Sequence, residues 1–160
     1  MGQYFMSPSY GELTIEETAA RVLQYISDSP EDHYMLTLGT DSQSHDKTKI
    51  VMVIAVHRIG KGGIFFYDIK KIPLIRNIRQ KIIYETQMSL QLADELLQIL
   101  EHMGIGEYIV DYQIHCDIGV SGKTSQLIPE ITAWVKGCGY NCQIKPNSYA
   151  ASAIANKFSK

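Results

Sequence analysis

Three strand-like segments follow one another between residues 34 and 72, joined by links too short to be anything but turns. The first runs from Tyr34 to about Thr40. The second, Lys49 to Ile59, is rich in Val and Ile. The third runs from Gly63 to about Ile72. Gly60-Lys-Gly-Gly63 joins the last two with residues that tolerate positive φ, and the short link at 43–48 makes the first two a hairpin as well. Pro73 stops the third strand. A long helix is expected from roughly Asn77 to His102, ended by Gly104-Ile-Gly106.

The rest of the chain is read around that unit. Residues 1–13 are expected to form an irregular arm. Thr14-Ile-Glu-Glu17 fits a capping box and predicts a helix to about Ser27. After the long helix come a fourth strand (Tyr108 to Cys116), a loop at 117–123, a helix over about 124–136, a fifth strand (Tyr140 to Ile144) and a last helix over about 148–158. Hairpin-joined strands followed by helix-joined strands imply an α/β fold: a mixed five-stranded sheet with helices on both faces. The 160 residues, 45% of them hydrophobic, suit one domain over 1–160, with an N-terminal arm and helix over 1–32 and a core over 33–160.

A net charge of −2 provides no global attraction to nucleic acid, so any such binding needs a local patch. Three cysteines (Cys116, Cys138 and Cys142) and an N-terminus without a positive, then apolar, leader point to a reduced, cytoplasmic protein. The longest apolar run, Ile50 to Val56, is too short to span a membrane, and no membrane partner is expected.

Three acids carry the functional argument. Asp41 follows the first strand and Asp117 the fourth. Parallel neighbouring strands would bring their ends about 5 Å apart. Each alternates away from the apolar residues of its strand (Leu36 and Leu38; Ile114 and Cys116), at the strand ends where open α/β sheets bind ligands. Taken singly, each also fits an Asp that initiates a turn. Glu85 lies in the middle of the apolar stripe of the long helix, with Ile82, Met88, Ser89 and Leu92, while Asp94 and Glu101 fall on the wet side. A carboxylate there needs a partner: Arg79, Lys81 or a metal. Together the three make a hard oxygen site suited to Mg²⁺ or Mn²⁺.

The order of elements, with Gly39-Thr-Asp-Ser-Gln43, Glu85 in Tyr-Glu-Thr-Gln and His115-Cys-Asp-Ile-Gly119, resembles the RNase H-like superfamily. Over residues 4 to 160 the chain is more narrowly similar to the bacterial YkuK-type family of RNase H-like proteins. The resemblance implies catalytic, metal-holding roles for Asp41, Glu85 and Asp117, and metal-dependent nuclease or other phosphodiester-processing chemistry on nucleic acid. Active members of the superfamily often add a fourth acid near the last helix. Here the only acid after Asp117 is Glu130, in the middle helix, and the candidate positions carry Asn147 and Asn156. The alternative is a non-catalytic RNase H-like module that binds nucleic acid, a nucleotide or a protein partner.

Lys70, Lys71, Arg76, Arg79 and Lys81 form a basic cluster between the third strand and the long helix. Lys70, Lys71, Arg76, Arg79 and Lys123, with Ser42 beside Asp41, are the expected substrate contacts. Gly119-Val-Ser-Gly-Lys-Thr124 sits where a phosphate loop would. The Walker spacing, however, puts Asp117 where a glycine is required, and a carboxylate repels phosphate. Cys138-x₃-Cys142 lacks a second pair for zinc and reads as buried thiols.

Overall fold

The computed structural model describes residues 3–119 and 122–145. One mixed sheet of seven strands, not five, runs in the order β2-β1-β5-β4-β3-β6-β7. The extra pair comes from the segment read as an arm. β1 (Tyr4–Ser7) and β2 (Gly11–Thr14) form a hairpin whose first strand joins the edge of β5, with Met6 opposite Tyr67. The reason is local. Phe5 and Leu13 pair across the hairpin and are buried. Ser7 Oγ accepts from the backbone of Ser9 and Tyr10, and Gly11 takes the positive φ that closes the turn. Four residues per strand are too few for a clear alternation signal.

α1 (Ile15–Ser27) starts at the Thr14 N-cap, where both bonds of the capping box form. The central meander is β3 (His33–Ser44), β4 (Thr48–Arg58) and β5 (Gly62–Ile72), all antiparallel. Gly63 faces His57 so closely that any Cβ would strike the Val56 carbonyl, so the turn-side residue of β5 has to be glycine. α2 (Ile78–His102) is capped by Asn77, whose side chain accepts from Gln80 N at 3.0 Å. β6 (Ile109–Gly119) then lies parallel to β3, and β7 (Asn141–Lys145) parallel to β6. Between β6 and β7, a 3-10 turn at Ser125–Leu127 precedes α3 (Ile128–Gly137). Pro129 fits the first turn of a helix but not its interior, so α3 starts four residues later than expected.

α1, α2 and α3 all contribute to one core, with Ala19, Leu92 and Val135 packed over Leu36, Leu38, Ile54 and Ile114. On the opposite face, Val51 and Val53 form a smaller apolar cluster with Ala55, Tyr67 and Ile69. The three described helices therefore share one face of the sheet. The helix expected at 148–158 lies outside the described residues. No helix among the described residues is long and apolar enough to cross a membrane.

Candidate metal centre

Both strands that carry the acids run past the expected ends. β3 continues to Ser44 and β6 to Gly119, so Asp41 and Asp117 lie inside strands and not in the loops that follow. The expected loop at 117–123 accordingly begins only after Gly119. The parallel ladder between the two strands ends at Gly39 opposite His115. Asp41 and Asp117 are each two residues further on, directly past that last rung. There β6 also shifts register against β7, between His115 and Gly119. The strands part at that point, and the two carboxyl groups face the opening.

The third acid arrives from the helical layer. α2 is seated on β3 by two polar rungs in an otherwise apolar contact. Thr40 Oγ1 lies 2.7 Å from Ser89 Oγ, and one helical turn away Ser42 donates its hydroxyl to Glu85 Oε2. Thr40 and Ser42 share the side of β3 that carries Leu36 and Leu38, which faces α2. Glu85 thus enters the gap between the strands from the helix side. One oxygen each from Asp41, Glu85 and Asp117 lie within 4.8 Å of one another. Hard divalent ions take oxygen ligands in such a cluster.

Electrostatics show how unsettled the cluster is without a cation. Burial, and then the neighbouring Asp117 charge, push the Asp41 carboxyl up to about 7. Burial pushes Glu85 well above the usual carboxylate range, against the opposing effect of the Ser42 hydrogen bond. Asp41 and Asp117 each bring a carboxylate oxygen to the same cluster, so the charge of Asp117 opposes ionisation of Asp41. Glu85 is only 3% exposed, and its Oε1 is buried without a hydrogen-bond partner, alone among the buried side-chain oxygens and nitrogens of the described residues. Buried polar atoms in folded proteins are almost always satisfied. A buried carboxylate oxygen without a donor, on an acid that belongs to a set of three carboxylates, is what a hard cation would complete. The residues therefore fit Mg²⁺ or Mn²⁺.

The partners considered for Glu85 resolve differently. Arg79 pairs with Glu130 of α3, Nη2 to Oε1 at 2.7 Å, and not with Glu85. Lys81 acts on Glu85 only through its charge. Ser42 is buried and donates its hydroxyl to Glu85. Lys70 lies 3.5 Å from Asp68. Lys71 and Arg76 are exposed. Lys71 lines a groove of about 540 Å³ with Gln43, His45, Asp46, Lys47 and Lys49, at the tip of the β3–β4 hairpin two residues past Asp41. Lys123 borders a separate cleft of about 260 Å³ with Asn77, Arg79 and Gln126. Asn147 and Asn156 lie outside the described residues.

One residue at the centre had no signal in the sequence. Lys145, the last residue of β7, places Nζ 2.6 Å from Asp117 Oδ1. Nothing in the sequence links a lysine at the end of one strand with an acid near the end of another. The thiols are not all buried as expected: Cys138 is exposed and Cys142 half-buried, and Cys142 Sγ lies 3.3 Å from that of the buried Cys116.

The family model described as "Ribonuclease H-like" matches residues 17–160. The chain belongs to that family. It is also 33% identical to the "Uncharacterized protein YkuK" of Bacillus subtilis (strain 168), across 98% of this chain and 96% of that protein. It is thus a YkuK-type ribonuclease H-like protein. No solved structure gives a significant match.

Proposed function

We propose that this ribonuclease H-like protein is a metal-dependent phosphodiester hydrolase, a nuclease acting on nucleic acid. The single observation behind this reading is the convergence of Asp41, Glu85 and Asp117 within 4.8 Å, with Glu85 Oε1 buried and unpartnered. The three carboxylates would hold Mg²⁺ or Mn²⁺. When bound, such an ion polarises a phosphoryl oxygen and lowers the pKa of water.

The chain's own part in the reaction is positional. Ser42 holds Oε2 of Glu85 by a hydrogen bond and leaves Oε1 without a partner. β3 and β6 hold Asp41 and Asp117 in register, with the backbone ladder as a rigid base. Neutral His115 forms part of that base. Burial holds it down at about 4, and its Nε2 lies 3.4 Å from Gln113 Oε1. The lysines of the groove beside Gln43 offer a path for a phosphodiester backbone that ends at Asp41.

The test is a titration with Mg²⁺ and with Mn²⁺ followed by melting temperature, with Asp41→Asn as control. An RNA–DNA hybrid, single strands and branched DNA are then incubated with the Mn²⁺-loaded protein. A metal-induced rise in Tm that D41N lacks, together with cleavage of one substrate, supports the enzyme. Equal responses of wild type and D41N refute the metal site. A second reading, a non-catalytic module that binds nucleic acid, a nucleotide or a protein, has one observation in its favour: after Asp117 the only acid is Glu130, and it is held by Arg79. Metal binding without cleavage of any of the substrates selects that reading.

A further inference from the structure

Lys145 sits in register opposite Gly119 of β6. Gly119 lies two residues beyond Asp117. The Lys145 ammonium lies 2.6 Å from Asp117 Oδ1, and Asp117 retains about a quarter of its surface (28% exposed). Asp41 and Glu85 each offer an oxygen within 4.8 Å of the ligand oxygen of Asp117, so the ammonium lies against the whole cluster and not one isolated carboxylate. The other nearby cation, Lys81 on α2, acts on the Glu85 side.

Charge balance gives this placement a consequence. Fully ionised, the triad carries three negative charges. One divalent ion and one ammonium cancel them. Two divalent ions together with the lysine would leave an excess of positive charge at a partly buried site, which is unfavourable without a further acid. Among the described residues no fourth acid joins the cluster, and beyond Asp117 the chain holds only Glu130, which pairs with Arg79.

We propose that Lys145 is the built-in second cation of this centre, competing with a divalent ion for Asp117 and restricting the triad to a single ion. The inference rests on the reading of Asp41, Glu85 and Asp117 as metal ligands. Lys145 is a positioning residue: it sets how many ions the carboxylates accept and how tightly.

The experiment is Mn²⁺ binding to the full chain by titration calorimetry, with free Mn²⁺ followed by electron paramagnetic resonance. Wild type, Lys145→Met, Lys145→Gln, Lys145→Arg and Asp41→Asn are compared, each checked for folding by its metal-free melting curve. Wild type should take one Mn²⁺ per chain. K145M and K145Q should bind that ion about 10-fold tighter, because the competing charge has gone, and K145R should stay near wild type. Two ions in wild type, or unchanged or weaker affinity in both K145M and K145Q, would overturn the proposal. D41N separates the two levels. If D41N loses the ion while the Lys145 variants match wild type, only the role of Lys145 fails. If D41N binds like wild type, the metal-site reading fails, and the role of Lys145 with it.

Discussion

Ser42 donates its hydroxyl to Oε2 of Glu85 and leaves Oε1 of the same carboxyl buried with no partner. One oxygen of this acid is satisfied within the fold and the other is not. On the proposed metal-site reading, the second oxygen is the one left for a cation. A Glu buried only for stability would have both oxygens paired, since an unsatisfied buried acceptor costs on the order of 1–3 kcal/mol.

Glu85→Gln follows from this directly. The glutamine carbonyl still accepts from Ser42, and its amide can donate to the Asp41 and Asp117 carboxylates. Metal-free E85Q should therefore be at least as stable as wild type, with a gain of about 1 kcal/mol raising Tm by roughly 2–4 °C. It should also lose the Tm response to Mn²⁺. Ser42→Ala should move the other way, losing about 1–2 kcal/mol as Glu85 loses its remaining hydrogen bond. Melting curves in chelator and in Mn²⁺ check both. A less stable E85Q that still responds to Mn²⁺ would contradict the account of the orphaned oxygen.

Asp41 predicts a pH dependence with a definite sign. Its folded value, about 7, lies above its ordinary one because of burial and the Asp117 charge. The folded chain therefore holds this proton more tightly than the unfolded chain does. The resulting stability is complete below the unfolded value and is lost as pH rises toward 7. His115 has the opposite sign: burial holds it at about 4, so its contribution is lost as pH falls through that value. Asp41→Asn removes the first effect and keeps the second. In chelator, D41N should therefore gain on wild type between about pH 5 and pH 8, by up to a few kcal/mol. Calorimetric Tm values across that range measure the difference, and a gap that stays constant with pH would rule out the raised Asp41. With Mn²⁺ present the advantage should pass to wild type, most strongly at the higher pH, because the ligand must be ionised.

Phe5 tests the hairpin. Its side chain is fully buried in the main core although it lies only five residues from the start of the chain. Phe5→Ala should cost about 3–5 kcal/mol, as for any large core aromatic. An arm lying loosely on the surface would lose less than about 0.5 kcal/mol on the same change. Urea unfolding of the variant distinguishes the two.

What was legible in the sequence follows the range of the interactions involved. The Thr14–Glu17 capping box, the Gly60–Gly63 turn and the Gly104 stop act within one turn of chain, and each sits where those residues indicate. Glu85 was legible because helical periodicity puts it inside an apolar stripe, and its 3% exposure agrees. The strand ends were less so. Asp41 and Asp117 look like turn residues, yet both lie inside strands, because β4 and β7 continue to pair beyond them. The β1–β2 hairpin was missed because its strands are short and their burial depends on the edge of β5.

By itself, the sequence determined the helices and strands from α1 to β7, their order and the three acids they carry, since propensity, capping and periodicity are local properties. Only the tertiary structure decided which oxygens meet. The parallel register of β3 and β6 sets Asp41 beside Asp117, the Thr40–Ser89 and Ser42–Glu85 rungs set the height of α2, and the Lys145–Gly119 register brings an ammonium to Asp117. Those contacts join residues far apart in the chain. No local pattern specifies them, because a one-residue slip of a strand would reverse every side chain on it while leaving each local preference intact.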